Sequence, residues 1–187
     1  MAYASLMTRE LEHAGDDVVV VGHSLGGLTA PLVAEMRPTR RLVLLCGLVP
    51  VPGRSLVEEL KEGPDPFAPG AGAGRERDEL GRSFWTDEGA ASRILYSDCG
   101  DAVAAAAFAR LRPQAQEPQI QPCPLREWPA VPTTYVFGTA DRMISPAWVR
   151  ATAAERLSVE PLELQSGHSP MLSHPAQLAA LLDGLAG

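Results

Sequence analysis

Apolar residues gather in a few sharply patterned stretches of this chain. Val18-Val19-Val20-Val21 puts four β-branched residues in a row. Such a run reads as a strand buried on both faces, as inside a parallel sheet. After Gly22-His23-Ser24-Leu25-Gly26-Gly27, the residues Leu28, Leu32, Val33 and Met36 recur at helical spacing. They predict a helix over 25–37 that ends before Pro38. Pro31 lies inside that helix, removes one backbone bond and should bend it. Arg41-Leu42-Val43-Leu44-Leu45-Cys46 is a second buried strand, and two strands joined by such a helix form a βαβ unit. In front of them, residues 2–14 read as an amphipathic helix, with Leu6, Met7 and Leu11 apolar and Gly15 as its stop.

The pattern changes over 51–129. Pro and Gly become frequent, and 64–74 is a loop without periodicity. Helical pieces are expected at 56–60, 76–84, 90–95 and 102–111. Phe84, Trp85, Ile94, Leu95, Tyr96, Phe108 and Leu111 make this stretch too apolar for a linker. It reads as a helical cap inserted into a core made of 1–50 and 130–187. The sheet resumes at Thr133-Thr134-Tyr135-Val136-Phe137. A helix over 146–155 follows, with Pro at its start, then a strand over 158–164 and a closing helix over 175–185. The expected fold class is α/β, a parallel sheet flanked by helices with an inserted cap.

At 187 residues the chain is one domain by length, with room for a real core. The net charge of −7 argues against nucleic acid or an anionic membrane as partner. Cys46, Cys99 and Cys123 are an odd count without C-x-x-C, which reads as reduced thiols in a reducing compartment. No apolar run approaches the roughly 20 residues of a membrane helix, and no signal pattern opens the chain, so a cytoplasmic location is expected. No cluster has metal-ligand spacing, no Gly-rich phosphate loop is present, and no cofactor is expected.

The candidate chemistry sits at three strand ends, where open parallel sheets gather their sites. The first strand ends in Gly-x-Ser-x-Gly, and a strand, a sharp turn and a helix around that motif form a nucleophile elbow. Gly22 and Gly26 are expected where side chains would collide. Asp141 follows the third strand and His168 the fourth. A serine hydroxyl needs a base to take its proton, and a neutral imidazole does that near pH 7. A carboxylate then holds the imidazole in the right tautomer. Asp141 alone could equally be a turn residue before a helix, with Asp98 and Asp101 as the next candidate acids. The joint order Ser24, Asp141, His168 favours the triad. The N–H of Leu25 is the oxyanion donor, and Leu48, Trp85, Tyr96, Leu111 and Met171 are the expected pocket. His23 is read as structural, His174 as an N-cap beside Pro175, and His13 as exposed.

At these residues the chain resembles the α/β-hydrolase superfamily, and within it the methyl esterase and hydroxynitrile lyase branch. Gly22-His23-Ser24-Leu25-Gly26-Gly27 matches the elbow. Leu95-Tyr96-Ser97-Asp98-Cys99 and Leu111-Arg112-Pro113-Gln114 look like the branch's cap signature. Residues 138–144 look like its acid loop, and residues 166–175 its histidine loop. The resemblance implies a serine hydrolase that cleaves a small apolar carboxylic ester through an acyl-enzyme, without a cofactor. Lyases of the branch carry a lysine after the catalytic histidine; Ser169 stands there, which favours an esterase. A non-catalytic binding module that kept the triad, or a lyase or cyclase of the same fold, is the alternative. The resemblance also implies several further strands before the elbow, one loop of which carries a second oxyanion donor. Those N-terminal strands are not expected from the residues ahead of the 18–22 strand, which read as one helix, so the 18–22 strand is expected to lie at a sheet edge. An apolar edge without Lys or Pro invites a homodimer through that edge.

Overall fold

The structure, a computed structural model, describes residues 2–187. Its elements run α1 (Ala2–Glu10), β1 (Val19–His23), α2 (Ala30–Met36), β2 (Arg41–Leu45), α3 (Leu56–Glu62), β3 (Arg75–Arg77), β4 (Ser83–Trp85), α4 (Glu88–Leu95), α5 (Asp101–Phe108), α6 (Glu117–Ile120), β5 (Thr133–Gly138), α7 (Pro146–Thr152), β6 (Leu162–Leu164), α8 (Pro170–Ser173) and α9 (Pro175–Ala186). Four strands form one parallel sheet in the order β1-β2-β5-β6. Alternate residues feed two layers, as the two-residue period of a strand requires. Val43, Leu45, Val136 and Leu164 pack against Leu178 of α9, with Leu181, Leu182 and Leu185 beside them. Leu44, Tyr135 and Phe137 face the other way, onto Trp148 and Val149 of α7.

β2 is buried as expected, with Leu42 to Leu45 at most 2% exposed. β1 departs from the expectation of burial on both faces. It stands at the end of the sheet, Val19 and Val20 are half-buried, and Val21 is 41% exposed. Branched composition reports strand propensity, while the number of neighbouring strands is a long-range fact.

The elbow segment also differs in detail. Ser24–Leu28 is a 3-10 turn, and α2 begins only at Ala30. Pro31 therefore falls in the first turn, where its missing N–H costs nothing, and it does not bend the helix. α1 stops at Glu10, short of the expected Gly15. The strand expected over 158–164 shortens to Leu162–Leu164, because a π turn at Ala153–Leu157 ends in left-handed Ser158 with φ +55°.

Between β2 and β5, α3, α4 and α5 form where expected. Ser55 and Glu58 close a reciprocal capping box on α3, and Asp87 caps α4 by accepting from the Ala90 N–H. The helical piece expected at 76–84 is instead the antiparallel hairpin β3–β4. Asp78 accepts from the N–H groups of Leu80 and Arg82, and Gly81 turns the chain at φ +74°. Residues 64–74 have no periodicity but are tied down. The Ala68 N–H donates to Met143, and the Ser145 N–H to Pro66. Among the described residues no helix is long and apolar enough to cross a membrane, and the three thiols are free.

Candidate active site

Ser24 leaves the end of β1 with φ +52°, a conformation few non-glycine residues adopt. The turn is possible because of its neighbours. A Cβ on Gly22 would come within 2.7 Å of Ala30 Cβ, and a Cβ on Gly27 would strike the Leu48 carbonyl. Gly26 has open space around it, so the close packing expected there belongs to Gly27 instead. The Leu48 N–H donates to the Ser24 carbonyl at 3.0 Å, which pins the turn to the chain leaving β2. Leu25 lies in the first turn, so its N–H has no intrahelical acceptor and remains free to donate.

Asp141 sits in the loop after β5, 7% exposed. One oxygen, Oδ1, accepts from the Met143 and Ile144 N–H groups at 2.7 and 3.0 Å. The other, Oδ2, lies 2.8 Å from His168 Nδ1. A carboxylate can only accept, so Nδ1 carries the proton and Nε2 is left as an acceptor. Nε2 faces Ser24 Oγ at 2.9 Å. Gly138 makes this convergence possible: a Cβ there would lie 2.5 Å from the Ser166 carbonyl oxygen. Thr139 and Ala140 donate to Leu164 and Ser166 across the same contact. The structure thus brings Ser24, Asp141 and His168 into one hydrogen-bonded chain.

Three further residues pack around that chain: His23, read as structural, Asp98, read as an alternative acid, and Cys46, read only as a reduced thiol. His23 Nε2–H donates to the His168 carbonyl at 2.8 Å, with the two rings 4.9 Å apart. Burial, then the neighbouring His168, brings the His23 pKa down to about 4. It is therefore neutral at pH 7 and puts no second positive charge beside His168. Asp98, between α4 and α5, accepts from the Gly167 N–H at 2.7 Å. Its other oxygen is buried without a partner among the described residues. Cys46 follows β2 at φ +46°, fully buried. Its sulfur and ligand atoms of Asp141 and His168 lie within 4.8 Å of one another. Burial, then the Asp141 charge, pushes the thiol well up, so it stays protonated.

Above Ser24 opens a cleft of about 300 Å³. Four of the residues read as the pocket, Leu48, Trp85, Tyr96 and Leu111, line it, together with Leu25, Phe67, Met143 and Ile144. Met171 does not. It packs against the Val43 and Leu178 cluster on the far side of the sheet, because α8 starts at Pro170 and turns the chain toward α9. His174 is at the N-cap of α9, but its side chain caps nothing; its Nδ1 lies 3.4 Å from Asp98. The signal for Phe67 was its isolated bulk in a Pro/Gly loop, and the signal for Asp98 was its place in the cap signature. A second cavity of about 340 Å³, between α1, α2 and α3, contains none of the three converging residues.

Ser24, Asp141 and His168 stand beyond the ends of β1, β5 and β6 of one parallel sheet, and the chain belongs to the alpha/beta hydrolase family, whose pattern matches residues 2–181. Among curated proteins it is similar to the alpha/beta hydrolase nvfD of Aspergillus novofumigatus, 26% identical over 95% of this chain and 73% of the relative. Among solved structures it resembles a pyrethroid hydrolase from Sphingobium faniae, with TM-score 0.81 and 21% identity, over 98% of this chain and 76% of that one. Polyneuridine aldehyde esterase gives TM-score 0.80 at 16% identity, over 99% and 78% of the two chains.

Proposed function

We propose that the protein is a serine hydrolase acting on a small carboxylic ester through an acyl-enzyme. Ser24 Oγ attacks the ester carbonyl while His168 Nε2 takes its proton. The carbonyl oxygen gathers negative charge in front of the Leu25 N–H, and one such donor contributes about 10²–10³ in rate. His168 then returns the proton to the leaving alkoxide. Asp141 stabilises the imidazolium without taking its proton. Water repeats the cycle on the acyl-enzyme and frees Ser24. Residues 51–129 act as the cap over this centre, since Phe67, Trp85, Tyr96 and Leu111 all come to the cleft from that stretch.

The observation that carries this reading is the continuous chain Ser24 Oγ–His168–Asp141 at 2.9 and 2.8 Å, on the floor of a cleft. In a related triad, removing the serine costs about 10⁶ in kcat. Ser24→Ala is therefore expected to lose turnover of p-nitrophenyl acetate and labelling by a fluorophosphonate probe. Labelling that survives in the variant would remove Ser24 from the chemistry. Wild-type protein that is labelled but does not turn over the ester would overturn the hydrolase reading in favour of a binding role.

A further inference from the structure

The cleft has the wrong charge for its protein. The chain carries 23 acidic residues against 16 basic ones, a net −7. Yet no Asp or Glu lines the cleft, whereas Arg75 and Arg112 both do. Arg40, Arg54, Arg82, Arg150 and Arg156 each pair with a carboxylate. Among the described residues other arginines do not, but of the unpaired ones only Arg75 and Arg112 line the cleft. Among the described residues, Arg75 and Arg112 take part in none of the ion pairs or side-chain hydrogen bonds. In a molecule with carboxylates to spare, these two guanidinium groups are left open where a substrate would lie.

The backbone shows how they come together. Arg75 of β3 stands opposite Trp85 of β4. Ser83 of β4 bridges Gln114, two residues beyond Arg112. The hairpin and the 111–114 segment thus form one wall. The Arg75 guanidinium lies over the Trp85 ring, 5.6 Å from its centroid. Stacking of this kind engages the face of the guanidinium and leaves its edge donors to bind an anion. Ser83, Gln114 and Gln119 line the same cleft and add neutral donors. Leu25, Leu48, Met143 and Ile144 make the Ser24 end apolar.

Resting on the hydrolase reading above, we propose that the ester this site takes carries a carboxylate at the end away from the reacting carbonyl, held by Arg75 and Arg112. The substrate class is the half-ester of a dicarboxylic acid, with an apolar spacer between the ester and the free acid. Arg suits this task because its planar fork meets a carboxylate with two parallel hydrogen bonds.

The test compares mono-p-nitrophenyl adipate with p-nitrophenyl hexanoate, which match in chain length and differ in terminal charge. The adipate half-ester should show the higher kcat/KM, by roughly 10- to 100-fold for one charge-assisted hydrogen-bonded contact. In the Arg75→Gln/Arg112→Gln double variant that ratio should collapse toward one, and in wild type it should shrink as salt is added. A hexanoate preference, or a ratio unmoved by the double variant, overturns the proposal. Calorimetric titration of Ser24→Ala with monomethyl adipate and with methyl hexanoate reads recognition without chemistry. Binding that favours the adipate and vanishes without the two arginines supports the proposal even if no ester is turned over, in which case only the hydrolase reading falls. Turnover of both esters without a charge preference has the opposite meaning. Both arginines are exposed, and unchanged thermal unfolding would show that the variants fold.

Discussion

Two carboxylate–histidine pairs stand close together on the same stretch of chain. His168 meets Asp141 at 2.8 Å, and both side chains are 2% exposed. His174 meets Asp98 at 3.4 Å, with side chains 36% and 21% exposed. Each histidine follows a small residue and has a proline soon after it, in Gly167-His168-Ser169-Pro170 and in Ser173-His174-Pro175. What separates them is the surroundings. The Asp141 carboxylate has both oxygens occupied, one by two N–H groups and one by the imidazole, and the far nitrogen of that imidazole faces a serine. The His174 ring has Ser173 Oγ at 2.9 Å and no nucleophile behind it. In low dielectric a paired charge is held firmly; in water the same pair is screened. The two pairs thus differ in burial and in the third group, not in the acid and the histidine themselves.

The sharpest way to break this contrast is Asp141→Asn. The amide cannot hold the Nδ1–H tautomer, and the expected loss in kcat is about 10⁴-fold with the fold retained. If Asp141→Asn keeps most of the activity while Asp98→Asn loses it, the two pairs have been assigned the wrong way round. Asp98→Ala should come next in size. It strands the Gly167 N–H, at a cost of about 1–3 kcal/mol read from urea unfolding. It also loosens the loop carrying His168, which should lower kcat by up to about 10²-fold. Asp98→Asn keeps an acceptor and should recover most of both. Smallest is His174→Gln, expected to shift stability by less than about 1 kcal/mol and to leave kcat alone. A large loss there would mean that the outer pair helps hold the inner one.

The elements that position the site were legible because their signals are local. Val-rich strand, Gly-flanked serine and helical spacing all lie within one short stretch, and Ser24, Asp141 and His168 each follow a strand in the structure. What was not legible is non-local. Four valines cannot show whether strands flank them on one side or two; the edge position was expected only from the resemblance, and β1 does end the sheet with Val21 exposed. Met171 was expected in the pocket, but α8 starts at Pro170 and turns the chain toward α9, which puts Met171 in the other layer. The stretch 76–84 read as helical, and the local clue against it was Asp78 followed by Gly81, a turn signal. Reading that turn correctly is what puts Arg75 opposite Trp85. The 64–74 loop gave no signal of its own, because its order comes from backbone bonds to Met143 and Ser145.

Cys46 has a consequence for time as well as for structure. Its sulfur is fully buried and its thiol is held protonated, so an alkylating reagent finds no thiolate to attack in the closed molecule. Reaction there requires the strand ends to part, and its rate then counts openings of the closed state. The sulfur shares its small space with Asp141 and His168, so an opening that exposes it also disturbs the packing around those two side chains. The residue acts as a clock inside the centre, recording how often the centre comes undone, at a position where no substrate has to be present for it to run.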